Sequence, residues 1–380
     1  MERDERVQIL KDLIKINSAN GNEIEVANYL KKLFKEHGIE AKIDAFGDRR
    51  ANLTFDLGRG DKVLGITGHM DTVAIGSGWQ HDPFASEIEG DKLYGRGTAD
   101  MKSGLAAQVI ALIELFEAHK INGHIRFIAT AGEEYGTPGA NRLEKSGIAK
   151  DLDALLVGEP TGGNVVYAHS GSYNYRITSA GQSVHSSEPE RGVNALEGLV
   201  DYCLVERALF DDVKPDPYLG NIKHTVTIFN AGEQVNTIPD KAELRGNIRP
   251  TRVFNNDQVT ARIKEAVEKL NQEQAAKLSF EILNDWWPVA SDPDSEFVQS
   301  VLKDSQETFA KYPDHPTPEL RTINGATEAS VFVKHQQNLP VIVLGPDEWS
   351  VAHKVDEYTT ISSYLAIIET YKQVIQHYFD

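Results

Sequence analysis

The chain has 380 residues, more than one hydrophobic core usually organises, so we expect two domains. Its 40% hydrophobic and 25% charged residues are typical of a soluble globular protein. A net charge of -18 repels phosphate backbones and anionic lipid, which argues against nucleic acid and membranes as partners. One cysteine, Cys203, excludes a disulfide framework or a thiolate metal cluster, and the charged N-terminus has no apolar secretory core, so we expect a cytoplasmic location.

Helices and strands alternate in the first half of the chain. Asn22 and Glu25 resemble a capping box, and the apolar residues that follow at helical spacing predict a helix closed by Gly38. Strands are predicted at 39–43, 51–56, 63–67, 124–131 and 154–157, and a helix at 102–117. This alternation predicts an α/β fold with a mixed, mainly parallel sheet and helices on both faces.

The pattern changes in residues 173–285. The predicted order there is strand 173–178, a helix within 194–209, strands 225–229 and 242–248, a helix over 259–270 and strand 278–283. The order βαββαβ is that of a small ferredoxin-like α+β domain. A buried strand at 340–344 and a long amphipathic helix from about Thr359 then resume the first pattern. We therefore expect one domain made of 1–172 and 286–380, into which the domain of 173–285 is inserted.

His69 and Asp71 follow the predicted strand at 63–67. In open α/β sheets, ligands bind beyond the carboxyl ends of the strands. An imidazole that binds a metal usually needs a hydrogen-bond acceptor on its other nitrogen, and Asp71 could supply one. The alternative is an ordinary histidine satisfied at a strand end.

Asp100 lies in GRGTADMKSG, directly before the predicted helix. It occupies the third glycine position of a dinucleotide-binding loop, where its charge would repel a pyrophosphate, so we reject that function. The remaining interpretations are a metal ligand and a helix N-cap.

Further acidic and imidazole groups follow other predicted strands. Glu133 and Glu134 repel each other, and a nearby cation would relieve that repulsion. On an extended chain they would point to opposite sides and serve different roles. Glu159 follows the strand at 154–157, and His353 precedes the last helix. The alternatives are a solvated acidic turn for the pair and ordinary loop positions for Glu159 and His353.

Together these residues place two histidines and several carboxylates at one edge of one sheet. Nitrogen and oxygen donors without sulfur suit zinc first, and also cobalt or manganese. Two histidines with three carboxylates suit two divalent cations bridged by a carboxylate, about 3.5–4 Å apart.

The segments GHMDTV, GRGTADMKSG, TAGEEYG, GEPT and AHKVDEY occur in this order over essentially the whole chain. In this order they resemble the dinuclear zinc aminoacylase-type metallopeptidases, the acetylornithine deacetylase and succinyl-diaminopimelate desuccinylase group. The resemblance implies a metal-dependent amide hydrolase that removes an N-acyl group from an amino acid, with succinyl-diaminopimelate desuccinylase or a close deacylase as the first expectation. A metallo-exopeptidase or dipeptidase on the same scaffold is the second. A metal-free binding protein would have lost ligand positions, and none is lost here.

The same resemblance implies the metal ligands. Asp100 would bridge two divalent metal ions, zinc before cobalt or manganese. His69 and Glu159 would complete one ion, and Glu134 and His353 the other. The peptide bond after Asp100 is often cis in this family.

The resemblance also implies the catalytic and substrate-binding residues. Glu133 would be the general base, and Asp71 the partner of His69. In the inserted segment, which would be a lid and dimerisation domain, His185 would reach the partner subunit's site and stabilise the oxyanion. Asn236 and Arg249 would hold the substrate, Arg249 through its carboxylate. Without the resemblance, His185 reads as a helix cap and Arg249 as an edge-strand charge.

The implied partners are a small N-acyl amino acid or short peptide as substrate and a second copy of the chain in a homodimer. One segment departs from the family pattern. NGATEASVF has Ala326 and Glu328 where relatives have a glycine-rich loop, which leaves the role of this loop open.

Overall fold

The computed structural model describes residues 1–380, which form two units. The first unit comprises Met1–Ala168, Ala290–Thr322 and Thr327–Asp380, and the second comprises His169–Val289 and Ile323–Ala326. The predicted insertion at 173–285 lies inside the second unit. Each unit has its own cluster of buried apolar residues. None of the helices combines the length and apolarity needed to cross a membrane.

The structure contains sixteen strands and nine α-helices. The strands are β1 (Lys42–Phe46), β2 (Arg50–Gly58), β3 (Val63–His69), β4 (Ile88–Glu89), β5 (Lys92–Tyr94), β6 (His124–Thr130), β7 (Ala154–Val157), β8 (Val165–His169), β9 (Ser172–Ala180), β10 (Lys223–Ala231), β11 (Lys241–Arg249), β12 (Lys277–Trp286), β13 (Val289–Ala290), β14 (Leu320–Ile323), β15 (Val341–Val343) and β16 (Tyr358–Thr360). The helices are α1 (Arg3–Lys15), α2 (Glu23–Glu36), α3 (Ser103–Glu117), α4 (Pro138–Ser146), α5 (Ala195–Glu206), α6 (Asn256–Glu273), α7 (Glu296–Phe309), α8 (Ala329–Phe332) and α9 (Ile361–Phe379).

The largest sheet has the strand order β1-β2-β6-β3-β7-β15-β8-β13, with β14 beside β8. Its central strands β6, β3, β7 and β15 are parallel. Antiparallel pairs flank this centre on both sides. The predicted mixed sheet with a parallel centre is thus confirmed. Because β3, β6 and β7 run the same way, the loops after them meet at one edge of the sheet.

Strand β3 and helix α3 lie in the middle of the first unit. Every residue of β3 is buried, as expected for a strand covered on both faces. Helix α3 is buried on nearly all sides. Its first turn touches the end of β7, where a Cβ added to Gly104 would lie 1.7 Å from the carbonyl oxygen of Gly158. Only glycine fits at this crossing, which sets the start of α3 beside Glu159.

The second unit contains an antiparallel sheet with the order β10-β11-β9-β12. Helices α5 and α6 pack on it, and Tyr175, Leu199, Leu244 and Ile263 are among the residues buried between them. The chain order β9-α5-β10-β11-α6-β12 is the predicted βαββαβ order of a ferredoxin-like unit.

Two local predictions about the first unit were wrong. Strand β1 covers Lys42–Phe46 rather than 39–43, because the chain first has to turn out of α2 through Gly38, which has a positive φ. Asn22 does not form a capping box. Its backbone is left-handed, with φ 70°, whereas an N-cap needs an extended residue, and its side-chain amide donates to the Asn17 carbonyl oxygen instead.

Candidate metal centre

His69 is the last residue of β3, and its imidazole is 1% exposed. Nδ1 lies 2.9 Å from the backbone oxygen of Asp71. A carbonyl oxygen can only accept, so Nδ1 carries a hydrogen, and Nε2 is the ring nitrogen that faces the other groups of the site. The Asp71 carboxylate is farther from Nδ1, at 3.7 Å. The orienting hydrogen bond predicted for the Asp71 side chain is therefore made by its backbone.

The buried Asp71 carboxylate instead organises the turn after β6. Its oxygens accept hydrogen bonds from the backbone N–H groups of Gly132 at 2.8 Å, Glu133 at 3.0 Å and Glu134 at 3.1 Å. Asp71 thus links the end of β3 to the turn that carries both glutamates.

The Asp100 carboxylate lies between two histidines. Its Oδ1 is 2.9 Å from His69 Nε2, and its Oδ2 is 3.1 Å from His353 Nε2. Helix α3 begins three residues later, at Ser103, so Asp100 is not its N-cap. The peptide bond from Asp100 to Met101 is cis. A carboxylate that presents one oxygen to each histidine has the arrangement of a bridging ligand.

Each histidine also has a glutamate of its own. Glu159 Oε1 is 3.5 Å from His69 Nε2, and Glu134 Oε1 is 2.8 Å from His353 Nε2. The side chains of Glu159 and Glu134 are 2% and 10% exposed, whereas His353 is 50% exposed. The structure therefore brings together all five residues predicted as ligands, in the two predicted groups around Asp100.

Glu133 belongs to a second acidic group, with Glu159 and Glu328, whose ligand oxygens lie within 4.8 Å of one another. Glu133 and Glu134 do face different groups, but not because they lie on an extended chain. Residues Glu133–Tyr135 form a short 3-10 turn rather than an extended chain. Their separation therefore comes from the turn that Asp71 holds.

Glu328 is the residue of this group that the sequence did not assign. It is fully buried, and its Oε1 accepts a hydrogen bond of 3.1 Å from the Thr67 hydroxyl on β3. Its Oε2 and the Oε2 of Glu159 have no hydrogen-bond partner. The available signal was an acidic residue among the small and apolar residues of ATEASVF.

Burial and neighbouring charges shift the pKa values of several groups in the site. Burial raises the pKa of Glu133 well above its usual value, and burial followed by the Asp100 charge does the same for Glu159. Hydrogen bonds to Asp100 and Glu134 raise the pKa of His353 to about 10. Burial lowers the pKa of His69, but Glu159 and Asp100 outweigh it and raise the pKa well above its usual value.

The residues present fit divalent cations. Two buried carboxylate oxygens have no hydrogen-bond partner, the carboxylates repel one another, and the donors are nitrogen and oxygen atoms only. Burying such charges without a compensating cation is costly. Zinc, cobalt and manganese all accept this donor set.

His185 and Asn236 lie side by side in the second unit. The Asn236 backbone oxygen accepts from the Ser186 N–H at 3.0 Å. The Ser187 N–H donates to His185 Nδ1 at 3.2 Å, so the ring hydrogen is on the exposed Nε2. Helix α5 is capped by Asn194, whose side chain accepts from the Leu196 N–H. His185 is therefore not a helix cap.

Arg249 ends β11, which lies between β10 and β9 and is not an edge strand. Its guanidinium is partly buried and has no acidic partner, and burial lowers its pKa. An unpaired, partly buried guanidinium is a candidate site for a carboxylate.

Comparison with known proteins identifies the family of the chain. Residues 65–377 match Peptidase family M20/M25/M40. A Staphylococcus aureus (strain MRSA252) protein described as a probable succinyl-diaminopimelate desuccinylase is 34% identical over 98% of this chain and 97% of its own. Among solved structures, the M20 family metallo-carboxypeptidase Sso-CP2 from Sulfolobus solfataricus is similar with a TM-score of 0.79, at 19% identity, over 100% of this chain and 99% of its own. A Bacillus subtilis dinuclear metal binding peptidase from the M20 family has a TM-score of 0.70 at 15% identity, covering 98% and 97%. The chain therefore belongs to peptidase family M20/M25/M40, a family of metal-dependent hydrolases.

Proposed function

We propose that this protein is a two-metal amide hydrolase that removes an N-acyl group from an amino acid. The observation that carries this proposal is the position of Asp100, with one oxygen toward His69 and the other toward His353. Glu159 and Glu134 would complete the two sites. Zinc is the metal that this donor set fits best, with cobalt or manganese as alternatives.

Glu133 would serve as the general base. When bound, the two cations would supply positive charge that acidifies a water molecule and polarises the amide carbonyl. Glu133 would take a proton from the attacking water and return it to the nitrogen of the leaving amine. Burial raises the pKa of Glu133 above its usual value, which makes its carboxylate a stronger proton acceptor. Glu133 lies in the acidic group with Glu159, which is one of the proposed metal ligands.

The second unit would supply the remaining substrate contacts. The hydrogen on His185 Nε2 could donate to the carbonyl oxygen as that oxygen becomes negative, in the site of the partner subunit. Asn236, beside His185, would orient the amide. Arg249 would pair with the carboxylate of the amino-acid part of the substrate.

A succinyl-diaminopimelate desuccinylase, or a close N-acyl-amino-acid deacylase, is the activity we propose first. The Staphylococcus aureus relative, which matches this chain along nearly its whole length, supports that choice. A metallo-exopeptidase or dipeptidase is the second candidate, because the similar Sulfolobus solfataricus structure is a carboxypeptidase.

The test is a substrate panel with zinc-loaded protein. It contains N-succinyl-diaminopimelate, N-acetylornithine, other N-acetyl amino acids and simple dipeptides, and kcat/KM is measured for each. A preference of at least about tenfold for one N-acyl amino acid supports the deacylase. A preference for dipeptides moves the protein to the peptidase alternative, and no hydrolysis of any member would contradict both.

We also propose a homodimer formed through the second unit. Strand β10 is an edge strand, and its Ile228 and Phe229 are 42% and 40% exposed. On α5 of the same unit, Val200 and Leu204 are 42% and 59% exposed. An edge strand with exposed apolar side chains is suited to pairing with a second copy.

Sedimentation at micromolar concentration tests the dimer. We expect wild-type protein to sediment as a dimer and Phe229→Glu to shift it toward monomer, since a charge would be buried in the interface. Ile88→Glu, at an equally exposed apolar residue of the first unit, is the control and should stay dimeric. A monomeric wild type, or an unchanged Phe229→Glu variant, would count against this interface.

A further inference from the structure

Glu357 is a buried carboxylate outside the predicted ligand set. It is 1% exposed and lies four residues after His353. Its Oε1 accepts hydrogen bonds from the backbone N–H groups of Ala99 at 2.9 Å and Asp100 at 3.0 Å. Its Oε2 accepts from the Gly97 N–H at 3.1 Å and from the Arg96 guanidinium. Four donors therefore converge on one carboxylate.

A backbone hydrogen bond also joins Glu357 to the loop that precedes Asp100. The Gly95 N–H donates to the Glu357 backbone oxygen at 2.9 Å. Arg96 in turn donates to the Ile75 carbonyl oxygen at 3.2 Å, so the guanidinium is held at both ends. The loop from Gly95 to Asp100 is thus attached along its length to the segment that carries His353.

This attachment joins two residues of the metal centre. Asp100 must present one oxygen to His69 and the other to His353, and a small rotation of its backbone would break one of these contacts. Glu357 binds the backbone N–H of Asp100 itself and belongs to the same short segment as His353. Groups that orient ligands in this way usually control metal affinity, because the ligands alone do not fix their own geometry.

We propose that Glu357 is a positioning residue that holds the Asp100 carboxylate in register with His353. The proposal rests on the metal centre proposed above. It differs from a purely structural role, in which Glu357 would stabilise the loop without affecting how the cations are bound.

Glu357→Gln is the informative substitution. Each oxygen of Glu357 accepts two hydrogen bonds, so either orientation of the amide places its NH2 group against two N–H donors. Glu114→Gln is the matched control. Glu114 is a carboxylate of the first unit near the far end of α3, with a side chain 8% exposed, and it pairs with Arg6 and Lys372 rather than with the site.

The experiment uses the full chain, stripped of metal and titrated with Co²⁺ in competition with a chelator. We expect Glu357→Gln to bind Co²⁺ about 10–100-fold more weakly than wild type. We also expect its visible Co²⁺ absorption bands to shift, since the ligand geometry changes. Glu114→Gln should lower the midpoint of thermal unfolding in chelator while leaving both the Co²⁺ affinity and the spectrum unchanged.

Two outcomes would overturn the positioning role. One is a folded Glu357→Gln protein with wild-type Co²⁺ affinity and spectrum, and the other is an equal loss of affinity in Glu114→Gln. If Glu357→Gln does not fold, Arg96→Gln replaces it, because it removes only one of the four donors. A smaller loss of Co²⁺ affinity is then expected, and no loss contradicts the proposal. Failure of wild-type protein to bind Co²⁺ would instead overturn the metal centre.

Discussion

Glu133 and Glu134 are neighbours in the chain with different surroundings. Glu134 contacts His353 at 2.8 Å, whereas Glu133 faces Glu159 and Glu328. The backbone N–H groups of both are held by the Asp71 carboxylate. The same substitution at the two positions should therefore separate their proposed roles in catalysis and in metal binding.

We predict that Glu133→Gln keeps its metal and loses most turnover, with kcat reduced at least about 100-fold, since a glutamine cannot accept the proton. Glu134→Gln should instead weaken metal binding, because the amide replaces a charged ligand. Bound metal is measured by elemental analysis after dialysis, and kcat with excess metal. A Glu133→Gln variant with near-wild-type kcat would show that the base has been assigned wrongly.

At this scale the sequence predicted the groups that follow strand ends. His69, Glu134 and Glu159 could be found because they follow predicted strands, whereas Asp100 and His353 each precede a predicted helix. The ligand role of each of the five was implied by the family resemblance. The partners of Glu328 and Glu357 could not be found. Glu328 meets Thr67, and Glu357 meets backbone N–H groups near Asp100, in each case more than 250 positions away in the chain.

Among the elements, the crossing of α3 and β7 tolerates no side chain at Gly104. A Cβ there would lie 1.7 Å from the Gly158 oxygen and 2.8 Å from its carbonyl carbon. Both contacts are with backbone, which cannot rotate away as a side chain can. Glu159 directly follows Gly158, so a shift at this crossing would also move a candidate ligand.

We predict that Gly104→Ala lowers the free energy of unfolding by about 1–3 kcal/mol or more and weakens Co²⁺ binding as well. Urea denaturation and the Co²⁺ titration measure the two effects. Gly325→Ala is the control, because its added Cβ would meet only the Ile323 side chain, at 3.9 Å. Equal stability of the two variants would show that the crossing can relax.

The sequence predicted the positions of strands that are buried on one face or on both. It failed where the position of a strand or the start of a helix depends on the geometry of a turn. The apolar run of β3 and the alternation of β11 were sufficient to place both strands. The first strand was misplaced by three residues, since the turn geometry at Gly38 leaves little trace in an apolar pattern. Asn22 is a residue type that often caps helices, but its backbone is left-handed and its side chain contacts Asn17 instead.

The stability of the whole molecule should depend on the buried His169. This side chain is fully buried, its Nδ1 lies 3.0 Å from the Ser170 carbonyl oxygen, and burial lowers its pKa from 6.5 to about 4. Between these two values the unfolded chain binds a proton that the folded chain does not. The contribution of neutral His169 to the free energy of unfolding is therefore fully present above pH 6.5 and decreases as the pH drops toward 4.

We predict that wild-type protein loses about 2 kcal/mol more stability than His169→Asn between pH 7 and pH 5. We expect the variant to be less stable than wild type at both pH 7 and pH 5. The quantity to compare is therefore the change in the free energy of unfolding between the two pH values, measured by urea denaturation at each pH. The exposed His119 supplies the control, His119→Asn, which should keep the wild-type slope. A wild-type slope in His169→Asn would contradict the prediction.

At the scale of the whole chain, the sequence predicted the class of sheet and the βαββαβ order, because both follow from the succession of apolar patterns. Which of the titratable side chains are buried could not be predicted. His169 and Arg249 resemble the other histidines and arginines of the chain until burial is known.

The order of the ligands along the chain has a consequence for synthesis. Four of the five candidate ligands precede residue 160, but the fifth, His353, comes after the second unit, as does the positioning residue Glu357. During translation the ribosome must therefore complete residues 169–289 before the last ligand emerges. If the proposed ligands bind metal, we expect the complete centre to form only after residues 169–289 have been synthesised.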